Sequence, residues 1–326
     1  MKANVFVAPD LDGGRRVILG EGPLMFDGRL LTTDARRCIL RVTQVDDGRT
    51  ENIDLAALLL ANGLLHPDDK TPVLGCLAPT TDHRLLCATS VGLILLDLKT
   101  RKLSFFVHPE AERASHGVVY NDGKAGPDGA FYVGGTNFRP GEGRLLRVAP
   151  DGAISEPLVD APPLTTPNGL HWYPTDDPDV WDFYYVCSNY PGVQFYEHRL
   201  SEGKMFRRPD VLSLPQKQFG YLDGMTGSDN EVLILALYES PEPGCIVFDR
   251  LTGEILDRVF TTAPQTTSVA LNGDLLYVTS AAQGYTDRDF ADFPDAGAVF
   301  RCSFQDSAHP KVRAAAAVPP FAFETR

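Results

Sequence analysis

The stretch Tyr120-Asn-Asp-Gly-Lys-Ala-Gly-Pro-Asp-Gly-Ala-Phe-Tyr-Val-Gly-Gly-Thr-Asn137 predicts a short strand, a turn and a second strand. The polar pair Asn121 and Asp122 opens the first strand, and Pro127-Asp128-Gly129 has the composition of a tight turn. A polar pair at the start of a buried strand is destabilising unless something uses it. This design recurs along the chain, and the recurrences indicate both the fold and the site.

Six segments share the design, each with a polar or small residue entering a strand that turns into a stronger strand. They begin at Glu21, Gly75, Asn121, Asn168, Asp223 and Ser268, at intervals of about 45 to 55 residues. Candidates for a third strand follow each pair, for example Gly92-Leu-Ile-Leu-Leu-Asp97. Four strands per unit at this period are typical of a β-propeller. We therefore expect an all-β, six-bladed β-propeller that forms a single domain over residues 1–326.

Two apolar segments precede the first unit, Val5-Phe-Val7 and Arg16-Val-Ile-Leu19. We expect them to pair with the last unit and close the ring. Helical periodicity is almost absent. The exception is the segment 54–62, where Asp54 is a candidate N-cap and Gly63 a C-terminal stop, which predicts one short helix in a connection.

The composition is that of a globular protein with an acidic surface. The chain has 326 residues, 43% of them hydrophobic, with a formal net charge of −13 and a pI of about 4.9. An acidic surface disfavours nucleic acid as a partner and docking on anionic lipid, because both require a basic face. The excess of acid taken alone is explained by solubility.

No apolar stretch of the N-terminus resembles a signal peptide, and no run approaches the ~20 apolar residues of a membrane helix. The six cysteines are scattered without a C-x-x-C pair, which favours free buried thiols in a reducing compartment. We therefore expect a cytoplasmic protein, as a monomer or homodimer.

The repeat brings polar residues to one place. In a propeller the innermost strands line a central channel, so residues at equivalent positions meet near one mouth. The polar residues at those positions are Glu21, Asn121, Asn168 and Asp223, with no Lys or Arg at any of them. Two neighbouring carboxylates repel each other unless one is protonated or a cation lies between them.

This all-oxygen set predicts a hard divalent ion, Ca²⁺ first, with Mg²⁺ or Mn²⁺ possible. Zn²⁺ is a weaker candidate, because no His or Cys cluster has ligand spacing. Each residue taken alone also fits a turn, since Asn-Gly and Asp-Gly pairs are common turn sequences. The argument for a site is that four such residues lie in phase with the repeat.

The same residues carry a resemblance to a family. Leu19-Gly-Glu-Gly-Pro23, the stretch 121–136, Pro167-Asn-Gly-Leu-His-Trp172, Asp223-Gly-Met225 and Leu276-Tyr-Val-Thr-Ser-Ala281 resemble, in order, the gluconolactonase, senescence-marker-protein and luciferin-regenerating-enzyme family. The resemblance implies a six-bladed propeller with a divalent metal in its channel. It assigns Glu21, Asn168 and Asp223 as metal ligands and Asn121 as a further metal or substrate contact. It also implies lactone hydrolysis or, as in the related squid-type fluorophosphatase, hydrolysis of organophosphorus fluorides.

Departures from the family pattern concern the substrate. Sugar-lactone members carry an Arg where this chain has Val119, and a family Asp falls at Cys187 or Ser188. The metal set is intact while the sugar-recognition set is not, so we infer a weakly hydroxylated, aromatic or alkyl lactone. Candidate pocket walls are the aromatic residues Tyr120, Phe138, Tyr190 and Phe219, although core packing is the simpler explanation for each. Candidate pocket loops are 67–72, 138–143, 173–182 and 283–297.

The predicted mechanism is Lewis-acid activation of the lactone by the metal. Asp223 is the candidate general base or water-orienting group, and Asp122 is the alternative, although a turn-capping role also explains Asp122. His116 is a further candidate acid or base, and His171 more simply fits a structural role.

Other classes remain as alternatives. The chain has no G-x-S-x-G elbow, no G-x-G-x-x-G and no P-loop sequence, which disfavours a serine hydrolase of the α/β type, a dinucleotide site and a nucleotide-phosphate site. A phosphotriester or fluorophosphate hydrolase, an isomerase using the same Lewis acid, and a non-catalytic binding propeller all stay open.

Overall fold

The computed structural model describes residues 1–12, 14–111 and 117–325. It contains six antiparallel sheets, in which each inner strand contacts the inner strand of the next sheet around a ring. The predicted six-bladed propeller is confirmed. The candidate His116 lies outside the described residues.

The N-terminal strand β1 (Asn4–Val7) belongs to the last blade. Blade 1 contains β2 (Gly20–Phe26), β3 (Arg29–Asp34), β4 (Ile39–Gln44) and β5 (Thr50–Asp54). Blade 2 contains β6 (Leu74–Pro79), β7 (Leu85–Thr89), β8 (Gly92–Leu96) and β9 (Leu103–Val107). Blade 3 contains β10 (Val119–Ala125), β11 (Phe131–Thr136), β12 (Arg144–Val148) and β13 (Ile154–Ser155).

Blade 4 has a fifth strand, because the short β14 (Leu158–Val159) pairs in parallel with β18. Its other strands are β15 (Pro167–Pro174), β16 (Val180–Cys187), β17 (Gly192–Arg199) and β18 (Lys204–Ser213). Blade 5 contains β19 (Tyr221–Gly227), β20 (Val232–Tyr238), β21 (Gly244–Asp249) and β22 (Ile255–Phe260). Blade 6 contains β23 (Thr266–Asn272), β24 (Leu275–Ser280) and β25 (Val299–Ser303), with β1 outermost.

Short helices occupy the connections. They are α1 (Leu55–Ala61), α2 (Gln216–Phe219), α3 (Asp287–Asp292) and α4 (Pro310–Arg313), with 3₁₀ turns at Ala35–Arg37 and Phe304–Asp306. The predicted helix is α1, and the Asp54 side chain caps it by accepting the Ala57 N–H at 2.9 Å. Gly63 follows it with φ of 69°. None of the helices in the described ranges has the length and apolar character needed to span a bilayer.

The chain closes the ring at its N-terminus. As expected, β1 pairs antiparallel with β25. The second expected strand, Arg16-Val-Ile-Leu19, is wrong as a strand, because it makes only isolated bridges such as Leu19 with Ala281. Its Ile18 carbonyl still accepts the Ala282 N–H at 2.9 Å, so the segment ties blade 1 to blade 6.

The hydrophobic core lies between blades rather than in one centre. One cluster joins the facing surfaces of blades 5 and 6, a second joins blades 1 and 2, and a third joins blades 2 and 3. All six cysteines are buried and free, which fits the expected packing role.

The C-terminal residues cross one end of the channel. After α4 the chain passes blade 6, where the Ala317 N–H donates to the Gly273 carbonyl at 2.9 Å. It reaches blade 2, where the Phe323 N–H donates to the Pro79 carbonyl at 2.8 Å, and then blade 3, where Glu324 N–H donates to Gly129. We call residues 314–325 the C-terminal strap. The end of the channel it crosses, where the inner strands finish, is the strap end, and the opposite end is the ligand end.

Candidate metal and catalytic site

Every inner strand has a bulge near its start. The register with the second strand shifts between Glu21 and Leu24, Leu74 and Cys76, Tyr120 and Gly123, Pro167 and Leu170, Leu222 and Met225, and Thr266 and Val269. A bulge leaves residues outside the ladder and re-aims their side chains. The four polar residues Glu21, Asn121, Asn168 and Asp223 lie at four of these six bulges. Asn121 and Asp122 are the third and fourth residues of β10 rather than its start.

The Asn-Gly and Asp-Gly pairs at the bulges are not turns. A Cβ on Gly169 would lie 2.6 Å from the Asp223 carbonyl oxygen, and one on Gly224 would lie 2.0 Å from Ser268 Oγ. Neither distance is compatible with a side chain. Each glycine therefore lets the next inner strand approach closely, which brings the preceding polar residue to the channel axis.

Three carboxylates converge at the ligand end. Burial raises the pKa of Glu21 well above its ordinary value, and the charges of Asp223 and Asp122 raise it further. Burial also raises the pKa of Asp223 well above its ordinary value, with a further rise from Asp122 and offsets from the Asn168 side chain and Gly224 N–H. Mutual repulsion of this kind is what a bound cation relieves.

Carboxylate oxygens at this place lack partners. Asp223 Oδ1 and Asp122 Oδ2 are buried without a hydrogen bond. The other Asp122 oxygen accepts the Gly123 N–H at 2.7 Å. Buried oxygens of this kind are costly unless a cation or water occupies the space beside them. They fit the hard divalent ion that the family implies.

The NH₂ groups of the two asparagines are engaged in hydrogen bonds. Asn168 Nδ2 donates to Ser188 Oγ at 3.0 Å, and Asn121 Nδ2 donates to the Pro167 carbonyl at 3.0 Å. With its NH₂ group engaged, each amide has its carbonyl oxygen left to serve as a ligand. In the described part of the chain, no three His, Cys, Asp or Glu side chains are grouped to hold a metal ion. Glu21, Asp122 and Asp223 therefore interact through their charges without forming such a group, and the predicted ligand set takes its other members from the asparagines.

Lys124 is a residue that sequence reasoning missed. Its Nζ donates to the Met225 carbonyl at 2.6 Å, and burial lowers its pKa while the charge of Asp122 raises it. Lys124 lies three residues beyond Asn121 on the same strand, out of phase with the equivalent positions of the repeat. Among the residues that the structure describes, it is the only Lys or Arg that lines the channel cavity described next.

A cavity of about 400 Å³ lies in the channel on the strap side of the proposed ligands, and of the three converging carboxylates Asp122 lines it whereas Glu21 and Asp223 do not. Asp122, Lys124 and His171 line its inner part, and Trp172 and Phe321 belong to its mainly apolar walls. Burial lowers the pKa of His171 well below its ordinary value, and the charges of Lys124 and Arg250 lower it further. His171 is therefore a neutral residue of the cavity, and its buried Nε2 has no hydrogen-bond partner, unlike the hydrogen-bonded structural residue that we expected.

Ser188 is a second missed residue. Its hydroxyl accepts from Asn168 and donates to the Leu222 carbonyl at 2.8 Å, which fixes two neighbouring ligand-bearing strands relative to each other. The sequence flagged this position only as a departure from the family pattern. Its neighbour Cys187 is buried, and its Sγ accepts the Thr165 N–H at 3.4 Å.

The four candidate aromatic walls separate into two groups. Tyr120 and Phe219 are 1% and 5% exposed and belong to the hydrophobic core between blades, so the structure corrects the expectation for both. The Tyr120 hydroxyl is also engaged, since it accepts the Glu110 N–H at 3.0 Å. Tyr190 is half-buried in the loop after β16 and donates to Asp210 Oδ2 at 2.6 Å. Only Phe138, 49% exposed, presents its ring freely at the ligand end.

One of the expected pocket loops lies at the opposite end from the other three, and its residues Tyr173, Pro174 and Trp181 line the channel cavity. Residues 173–182 contain the turn between β15 and β16, which lies at the strap end. The loops 67–72, 138–143 and 283–297 precede an inner strand or connect second and third strands, and they lie at the ligand end. The difference arises because successive connections of a blade alternate between the two ends.

Comparison with known proteins identifies the family. Residues 19–282 match the SMP-30/Gluconolactonase/LRE-like region. A Bacillus subtilis protein with the provisional name sugar lactone lactonase YvrE is 24% identical over 310 residues, which are 93% of this chain and 97% of the relative. Chicken (Gallus gallus) regucalcin is 29% identical over 222 residues, 65% of this chain and 71% of the relative.

Solved structures share the fold. A calcium-binding protein, regucalcin, from Agrobacterium tumefaciens superposes with a TM-score of 0.77 at 20% identity, covering 99% of this chain and 98% of the other. A luciferin-regenerating enzyme gives a TM-score of 0.74 at 20% identity, covering 94% and 95%. These likenesses show the propeller architecture.

Proposed function

The chain belongs to the SMP-30/gluconolactonase/LRE-like family, and on that premise we propose that it is a divalent-metal-dependent lactonase. The family supports a hydrolase of the lactonase type. The observation that carries the proposal for this chain is the convergence of Glu21, Asp122 and Asp223 at bulged strands, with carboxylate oxygens that lack partners. A scaffold protein has no reason to keep such repulsion in its channel.

Glu21, Asn121, Asn168 and Asp223 would hold the ion, with Ca²⁺ the first candidate because every ligand is a hard oxygen. When bound, a divalent ion supplies Lewis-acid polarisation of the lactone carbonyl. The chain's own residues supply the rest. Asn168 stays oriented by Ser188, and Glu21 and Asp223 provide the negative charge that retains the cation.

Asp223 is the proposed general base. Its Oδ1 has no hydrogen-bond partner, so it can accept the proton of an attacking water. Asp122 is the alternative base, because its Oδ2 is equally without a partner. Burial raises the pKa of Asp122, and the charge of Lys124 opposes that rise. Because Lys124 is a counter-charge to Asp122, we assign Asp122 an electrostatic role and Asp223 the role of base.

We propose a weakly hydroxylated lactone as the substrate. Val119, at the family's sugar-gripping position, is an aliphatic residue of β10, and Phe138 offers an aromatic surface at the same end of the channel. A second candidate function is hydrolysis of organophosphorus esters or fluorides, since the same oxygen ligands would suit a phosphoryl oxygen. An isomerase with the same Lewis acid is a third.

Proton release in a pH-stat tests the proposal. The panel contains aliphatic, aromatic and sugar lactones together with an organophosphorus ester, each with added Ca²⁺ and again after chelation. The proposal predicts chelator-sensitive hydrolysis of apolar lactones with sugar lactones poor. Hydrolysis of only the phosphorus ester would favour the second candidate, and no metal-dependent turnover of any substrate would reject both.

A further inference from the structure

Three side chains from separate blades meet over the ligand end of the channel. They are Arg36 from the turn between β3 and β4, Phe138 after β11 and Gln283 after β24. Arg36 lies three residues beyond Thr33, which pairs with Glu21, so this turn stands beside the proposed metal ligands. Its guanidinium carbon is 5.9 Å from the centre of the Phe138 ring, which places the side chain between blades 1 and 3.

The Arg36 guanidinium is held but not neutralised. Nε donates to Gln283 Oε1 at 3.1 Å, the only hydrogen bond that Arg36 makes within the described ranges. No carboxylate there pairs with Arg36, whereas the adjacent Arg37 lies 3.4 Å from Asp34. The terminal nitrogens of Arg36, two donors in a planar fork, are therefore available to a ligand.

The partners of Arg36 are themselves fixed. The Gln283 N–H donates to Gln265 Oε1 at 2.7 Å, and Gln265 Nε2 donates back to the Gln283 carbonyl at 3.1 Å. Gln265 is only 4% exposed, so its two hydrogen bonds with Gln283 fix Gln283 to the buried part of the propeller. Phe138 has φ of 62°, an unfavourable conformation for an aromatic residue, yet its ring is about half exposed. A strained backbone that presents an apolar ring beside a free cation is typical of a ligand-binding surface.

Resting on the proposed lactonase function, we propose that Arg36 and Phe138 form an anchor for a substrate that carries a carboxylate on an aromatic or other flat apolar body. The guanidinium fork pairs with the carboxylate, and the ring packs against the body. An anionic substituent fits because the bound metal and Arg36 are both positive, whereas a neutral polyol would leave the fork unpaired. The charged group of the anchor comes from blade 1, whereas the sugar-gripping side chain that is missing at Val119 belongs to blade 3.

Carboxyphthalide and its carboxamide provide a matched pair of aromatic lactones that differ in charge. The inference predicts that the wild-type protein with Ca²⁺ has a kcat/KM roughly 10- to 100-fold higher for the carboxylate, the range expected for one charge-assisted pairing. Arg36→Gln should bring that ratio close to one, and Arg36→Lys should restore part of it. Arg49→Gln, which removes the same charge from an exposed turn at the strap end, should keep the wild-type ratio.

Two outcomes overturn the anchor while leaving the lactonase proposal intact. These are equal hydrolysis of both lactones by the wild type, and a carboxylate preference that persists in Arg36→Gln. If neither lactone is hydrolysed, calorimetric binding of carboxyindanone, a non-hydrolysable analogue, decides. If the wild type binds carboxyindanone, and binding is lost both for the carboxamide of this ligand and in Arg36→Gln, the anchor is upheld and hydrolysis of this substrate class is rejected. If the wild type does not bind carboxyindanone in this way, the anchor is overturned as well.

Discussion

The two ends of the central channel are built from the same six inner strands but differ in chemistry. At the ligand end the strands bulge, carboxylates face one another, and buried oxygens have no partners. At the strap end the ladder is regular, and aromatic side chains of the C-terminal strap cover the channel, with Phe321 packed against Trp172 and Trp181. The strap end is thus held together by aromatic packing, whereas the carboxylates at the ligand end repel one another.

This difference separates the determinants of stability from those of function. Buried apolar contacts at the strap end contribute directly to folding. The carboxylates at the ligand end oppose folding unless a cation is bound, because their charges are buried and close. Substitutions at the strap end should therefore lower stability and leave metal binding unchanged. Substitutions of the carboxylates at the ligand end should abolish metal binding and activity without lowering the stability of the metal-free protein.

The largest effect is expected for Asp223→Asn. Loss of both a ligand charge and the proposed base should lower kcat/KM for any hydrolysed lactone by at least about 1,000-fold. The metal-free variant should be at least as stable as the wild type, because one of the repelling charges is gone. Steady-state kinetics and thermal unfolding in chelator measure the two quantities. Wild-type turnover in this variant would refute the role of Asp223.

At the strap end, Phe323→Ala should lower the stability of the protein without changing metal binding. Phe323 is fully buried, and its ring contacts Phe106 at 5.3 Å between centroids. Removing the ring should lower the free energy of unfolding by about 3 kcal/mol, with the Ca²⁺ affinity unchanged. Phe105→Ala is the control, since Phe105 is 50% exposed on β9 of the contacted blade. Equal destabilisation by the two variants would show that the strap does not contribute as described.

Lys124 lies where the two ends meet, and its charge offsets that of Asp122. Lys124→Met should raise the affinity for Ca²⁺ about tenfold and that for Tb³⁺ about 30-fold. The reason is that the repulsion between Lys124 and a bound ion grows in proportion to the charge of the ion, so its removal gains more binding free energy for Tb³⁺. Calorimetry and terbium luminescence measure these affinities, with Lys99→Met in an exposed turn as the control. A fall in both affinities would instead indicate that Lys124 supports the shape of the site.

The smallest effect is a pH dependence. Since the folded-state pKa values of Glu21 and Asp223 are raised, the metal-free protein should lose stability as pH rises from the ordinary carboxyl value of about 4 through those values. Ca²⁺ competes with the protons, so the gain in Tm from Ca²⁺ should grow with pH over the same window. Thermal unfolding with chelator and with Ca²⁺ tests this. A gain that is independent of pH, or equal in a Glu21→Gln/Asp223→Asn variant, would contradict it.

The repeat made the fold and the convergence of Glu21, Asn168 and Asp223 predictable, because equivalent positions in a propeller meet in space. It could not reveal the C-terminal strap, which lies beyond the last unit and has no internal counterpart. Lys124 was missed because it is out of phase with the ligands yet on the same strand. The bulges that aim the side chains depend on pairing with the second strand, and a sequence pattern of polar and glycine residues reads equally well as a turn.

The aromatic residues show a different limit. Strand alternation turns the Tyr120 ring of β10 into the space between blades. Phe219 is the last residue of α2 and packs into another hydrophobic cluster. Arg36 and Gln283 lie 247 residues apart and carry no motif, so only the ring closure brings them together. Contacts across the mouth of a propeller depend on loop conformations that the repeat does not encode.

The most direct test of the central claim is calorimetric titration of chelator-treated protein with Ca²⁺. The account predicts saturable binding of one ion per chain that is abolished in Glu21→Gln and in Asp223→Asn but retained in Asp46→Asn, which removes an exposed carboxylate from a turn at the strap end. Absence of saturable binding, or binding unaffected by Glu21→Gln, would contradict a metal site at the ligand end.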